Sequence, residues 1–167
     1  MNRASPRARS AVGSPVVALA AALVVTAGCA GRAPEPTTHT VGERTDVARL
    51  VAVFADAGLE TRAFDATSLI IAEDGVQVVV FLEDGGRSLQ GVMACPTCAE
   101  PARPEHVARW NRTRRFGRAY VDADGLPVLA GDLALDRTTT DHTVAAWGRL
   151  MLAMGRAFRD EVWWADG

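Results

Sequence analysis

Trp110-Asn111-Arg112-Thr113-Arg114-Arg115-Phe116-Gly117-Arg118-Ala119-Tyr120-Val121-Asp122-Ala123-Asp124-Gly125 is the stretch on which the fold turns. It reads as the end of a helix that passes through a glycine into a strand and then a tight turn. Upstream, Pro104 suits the first turn of a helix, where its missing N–H costs nothing, and Val107 and Trp110 follow on one face, with Arg114 able to join them through its aliphatic stem. A short helix is predicted from Pro104 to Arg115. Trp110 and Phe116 are placed to pack the helix end onto a sheet, Asn111 to hydrogen-bond backbone where the helix stops, and Tyr120 to start a strand. Asp124-Gly125 supplies the positive φ of a tight hairpin, so Gly117–Ala123 and Leu126–Leu135 are predicted to pair.

Working outward, Val47, Leu50, Val51, Phe54 and Ala57 recur at three- and four-residue spacing, with Thr45 placed to cap and Gly58 to terminate a first helix. The period then changes. Thr61–Phe64, Ser68–Ala72, Val76–Glu83 and Ser88–Ala94 are short β-branched or apolar runs, broken by Glu73-Asp74-Gly75 and Asp84-Gly85-Gly86. Val78, Val80 and Leu82 fall on one side of their strand, while Val79 and Phe81 lie with Gln77 and Glu83 on the other, so this strand is apolar on both faces and is expected to be central. At the far end Asp141 can cap a long helix striped by Val144, Trp147, Met151, Met154 and Phe158. The order α-β-β-β(-β)-α-β-β-α predicts an α+β fold, an antiparallel sheet with helices packed against it.

The block from Trp110 to Gly125, followed by Leu129 and Asp132, resembles the YbjN family, in which such a block joins the middle helix to a β-hairpin. The element order on either side agrees over about Thr45 to Phe158. The resemblance implies a fold like that of type III secretion chaperones, a role as a candidate bacterial sensory-transduction regulator without an assigned enzymatic activity, and a dimer. It carries no catalytic residue onto this chain.

Residues 1–28 read as a lipoprotein export signal. Arg3, Arg7 and Arg9 precede an uncharged apolar stretch from Val16 to Val25 and then Thr26-Ala27-Gly28-Cys29. Ten apolar residues fall well short of the ~20 that span a bilayer. Cys29 is the expected lipidation site and mature N-terminus, residues 29–43 a lipid-anchored tether rich in Pro, Thr and Gly, and residues 44–164 the folded domain. Fully extended, the twelve residues from Gly31 to Gly42 reach roughly 40 Å. The expected location is the cell envelope, on the extracytoplasmic side of a membrane. Cleavage removes three of the eighteen arginines and none of the twenty acids, which leaves a net charge of −5 and makes nucleic acid an unsuitable partner.

Cys95-Pro96-Thr97-Cys98 is the one motif with intrinsic chemistry. In an exported protein a local disulfide is the first reading; a redox dithiol or half of a zinc site are its alternatives. The helix N-terminus that lowers a thioredoxin-type thiol pKa is not predicted here, and no second CxxC completes a zinc site. With Cys29 lipidated, the other two cysteines form a pair. Arg109, Arg112, Arg114, Arg115 and Arg118, with Arg103, form a basic cluster on an acidic domain, suited to an acidic protein segment, a phosphate or anionic headgroups. Trp163 and Trp164 are candidates for a partner or dimer contact. Asp122, Asp124, Asp132 and Asp136 lack the register of a calcium loop and suit turns instead. His106 and His142 lie near helix starts, where caps and exposed faces are their expected roles. No catalytic residue, metal site or cofactor is assigned. The expectation is a non-enzymatic protein-binding or regulatory module, with an envelope thiol–disulfide or metal-handling protein using Cys95 and Cys98 as the alternative.

Overall fold

The computed structural model describes residues 45–94 and 103–163. Three helices, α1 (Val47–Asp56), α2 (Pro104–Thr113) and α3 (Asp141–Phe158), accompany six strands. These are β1 (Glu60–Ala63), β2 (Ser68–Glu73), β3 (Val76–Glu83), β4 (Ser88–Ala94), β5 (Arg118–Val121) and β6 (Pro127–Ala134), and a π-helical turn, Arg159–Trp163, extends α3. The strands form one antiparallel sheet in the order β1-β2-β3-β4-β6-β5. The predicted α+β order is therefore the observed one, with β1 as the additional strand.

Helix starts shift by one residue from the sequence reading. Asp46, not Thr45, caps α1, its carboxylate accepting from the Arg49 N–H at 2.8 Å. Thr140, not Asp141, caps α3 through the Thr143 N–H at 3.1 Å. Either neighbour has a capping side chain, and the one that keeps extended backbone takes the role. The hairpin after β2 turns at Asp74 (φ 51°) and Gly75 (φ 75°), the left-handed pair a two-residue connection needs. Asp122 and Asp136 act as turn residues: Asp122 Oδ1 accepts from the N–H of Asp124 and Leu126, and Asp136 Oδ1 from the N–H and hydroxyl of Thr138.

Alternation along the strands sorts the side chains onto two faces. Leu69, Ile71, Val76, Val78, Val80, Leu89, Met93, Ala119 and Leu129 join Leu50, Phe54, Val107, Trp110, Val144, Trp147, Met151, Leu152 and Phe158 in one core. The paired Gly91 and Gly131 of β4 and β6 open a dent in this face. A Cβ on Gly91 would meet Met151 Cε at 3.0 Å, and one on Gly131 would meet Met151 Sδ at 2.6 Å, so the absent side chains are what seat α3. The other face carries the row Arg62, Ile70, Val79, Val92, Ala130 and Arg118 across all six strands. β3 is interior and apolar on both faces, as its sequence predicts. Among the described residues no helix is long and apolar enough to cross a membrane.

Candidate functional site

The block that decides the fold also builds the candidate site, the corner where α2 runs into β5. Pro104 opens α2 and Val107 and Trp110 are its buried residues. Trp110 meets the edge of Phe158 (centroids 5.1 Å apart, 80° between planes), and Phe158 meets Trp163 in the same manner at 5.8 Å and 70°. The indole N–H groups of Trp110 and Trp163 are both closed from solvent without a hydrogen-bond partner. Apolar and edge-on ring contact thus holds the turn after α3 against α2.

Asn111 has a sharper role than its place in the sequence suggested. Its side-chain N–H donates to the Ala119 carbonyl, and its Oδ1 accepts from the Ala119 N–H, both at 2.8 Å. β5 is an edge strand, and Ala119 is one of its central residues. One carboxamide from the preceding helix therefore takes both outward backbone groups of Ala119 and closes that edge to further strand pairing.

The structure divides the arginine cluster. Arg114 pairs with Glu161 and lies 5.3 Å from the Trp110 ring centroid, while Arg109 reaches the Glu161 carbonyl at 3.4 Å. Arg118 stands on the outer sheet face and pairs with Asp132 at 3.2 Å; Gln90 also donates to that carboxylate, at 3.0 Å. Arg112 and Arg115 are exposed and make no ion pair among the described residues. Phe116 corrects the sequence reading. It is 64% exposed and does not pack the helix end onto the sheet, because Trp110 and Val107 already fill that space. Tyr120 (42%) and Val121 (39%) are exposed nearby. Tyr120 shares the outer sheet face with Arg118, while Val121 lies on the face of Ala119, so exposed apolar residues and arginines both occur at this corner. The alternation Arg118-Ala119-Tyr120 carried the signal for Tyr120, since a buried Ala119 places its neighbours outward.

Trp163 is half-buried and meets the ring of Phe158 edge-on. Cys29, Cys95, Cys98 and Trp164 lie outside the described residues, as do the residues expected to form the export signal and tether. Among the described residues no group of three or more His, Cys, Asp or Glu is arranged to hold a metal ion.

Residues 46–163 match the family model described as "YbjN: Putative bacterial sensory transduction regulator". The chain belongs to the YbjN family. The YbjN domain thus takes in all three helices, all six strands and the closing turn. Its fold is similar to the crystal structure of YbjN from E. coli, titled a "putative transcription regulator", with a TM-score of 0.52 and 17% identity over 74% of this chain and 98% of that one. It is also similar to the Yersinia pestis type III secretion chaperone SycH, solved with a stable fragment of YscM2, with a TM-score of 0.46 and 13% identity over 65% of this chain and 98% of that one. No curated protein matches the chain.

Proposed function

We propose that this YbjN-family chain is a non-enzymatic protein-binding or regulatory module of the cell envelope, held on the extracytoplasmic side of a membrane by lipid on Cys29. The order of charged start, apolar stretch and Thr26-Ala27-Gly28-Cys29 supports the anchor. Two or three acyl chains on one cysteine give stable membrane attachment where a single chain is marginal. The family description as a regulator supports a role exerted through a partner.

The observation that carries the binding reading is the α2–β5 corner, where Phe116 and Tyr120 are exposed in the same stretch of chain as the exposed Arg112 and Arg115. Exposed apolar side chains in the same stretch as guanidinium groups suit a partner segment that brings hydrophobic and acidic residues together.

The test is recovery of a partner with a C-terminally tagged full-length chain crosslinked in cells. Phe116→Ser and the double substitution Arg112→Glu/Arg115→Glu are expected to remove an acidic envelope partner while leaving folding and membrane attachment intact. Undiminished recovery with both variants would overturn the assignment of this corner.

A further inference from the structure

The two edges of the sheet are not equivalent. The β5 edge is closed by Asn111, whereas β1 has no such plug among the described residues. The Phe64 N–H donates to the Ser68 carbonyl at 3.0 Å, continuing the β1–β2 register that pairs Ala63 with Leu69. In an antiparallel ladder bonded residues alternate, so Glu60, Arg62 and Phe64 turn their backbone groups toward β2, and Thr61 and Ala63 turn theirs outward. The strand carries neither a proline nor a bulge to discourage pairing.

We infer that β1 pairs antiparallel with β1 of a second copy of this chain, the dyad passing between the two Thr61 residues, so that the sheets join into one of twelve strands. Two observations select this occupant and this register. First, Thr61 opposite Thr61 sets Glu60 against the partner subunit's Arg62 and Arg62 against the partner subunit's Glu60. Neither side chain has an ion-pair partner among the described residues of its own chain. These positions are non-hydrogen-bonded pairs, in which cross-strand side chains stand closest. A register one residue along puts Arg62 against Arg62, which like charge disfavours.

Second, α1 packs on β1 and β2 through Val47, Leu50, Val53 and Phe54, and its outward side shows Ala48, Ala52 and Ala55. A dyad perpendicular to the sheet brings the two α1 helices together on the core face. Alanines there allow close approach of the axes.

The interface lies apart from the α2–β5 corner, so it stands or falls independently of the partner proposed for that corner. The test co-expresses two differently tagged full-length copies and measures recovery of one with the other. Arg62→Glu in both copies, or Glu60→Arg in both, turns the opposite-charge pairs into like-charge pairs and is expected to lower recovery about tenfold. A copy with Arg62→Glu combined with a copy carrying Glu60→Arg restores opposite charge at both positions, and recovery is expected within about twofold of the unaltered chain. Because each variant then serves as the other's folding control, the rescue cannot come from unfolded protein. Equal recovery in all combinations, or a mixed pair as poor as the like-charge pairs, would overturn the inference. So would a larger loss of self-recovery from Arg112→Glu/Arg115→Glu than from the β1 variants.

Discussion

Replacing Asn111 by Ala removes both hydrogen bonds that close the β5 edge. Each intramolecular hydrogen bond contributes about 1 kcal/mol net, so the pair accounts for about 2 kcal/mol. Alanine returns up to about 0.7 kcal/mol through its better helix propensity within α2, which leaves a net loss of about 1.5 kcal/mol. Asn111→Asp is the sharper probe. Its carboxylate still accepts from the Ala119 N–H but faces the Ala119 carbonyl without a proton to donate, so it is expected to be at least as destabilised as the alanine variant at neutral pH. Protonating the introduced carboxyl at acid pH restores a donor, and the gap between the two variants should narrow there. Urea unfolding of the full-length chain, followed by tryptophan fluorescence, measures both, because Trp110 is buried one residue away. An alanine variant within about 0.5 kcal/mol of the unaltered protein, with the aspartate variant equally mild, would refute the edge-closing role.

Gly148 lies against Phe54, where a Cβ would meet Cε1 at 2.6 Å and Cδ1 at 3.1 Å of a fully buried ring. Gly148→Ala is therefore expected to destabilise the fold by about 1 kcal/mol net in urea unfolding, overpacking outweighing the propensity gain; a rise in stability would refute this packing. Asp65 and Asp136 are held below the ordinary carboxylate range, Asp65 foremost by the Thr67 N–H and Asp136 foremost by the Thr138 hydroxyl. A depressed folded pKa means their contribution is complete above the unfolded value and is lost as pH falls through the folded one. Asp65→Ala/Asp136→Ala should thus flatten the acid limb of stability below the ordinary carboxylate range, and an unchanged limb would contradict these turns as its source. Cys29→Ser is expected to move the full-length chain out of the membrane fraction and to abolish incorporation of labelled fatty acid; retention of both label and attachment would remove the anchor.

Most of the architecture was legible because each element has a local cause. The three- and four-residue spacing of Val144, Trp147, Met151 and Phe158 fixes the buried face of α3, and Asp74-Gly75 and Asp124-Gly125 punctuate hairpins that the structure forms. The double bond from Asn111 to Ala119 was legible only as a tendency, since its partner lies on a different element eight residues on. Phe116 was misplaced because hydrophobicity states a preference for burial and not whether room remains beside Trp110. The division of the arginines was hidden for a different reason. Glu161 reaches Arg114 and Arg109 across 47 and 52 residues of sequence, where the contacts of Phe158 with Trp110 and Trp163 hold the closing turn against α2. The uneven edges of the sheet likewise follow from strand order, which spacing within a single strand does not encode.

The most direct test of the binding account places a photoreactive amino acid at Phe116 in the full-length chain, irradiates living cells, and identifies the attached peptide by mass spectrometry. The account predicts one recurrent envelope protein, joined through a segment in which acidic and apolar residues alternate. Irradiation that yields no adduct from this position, or only unrelated abundant proteins, would contradict it.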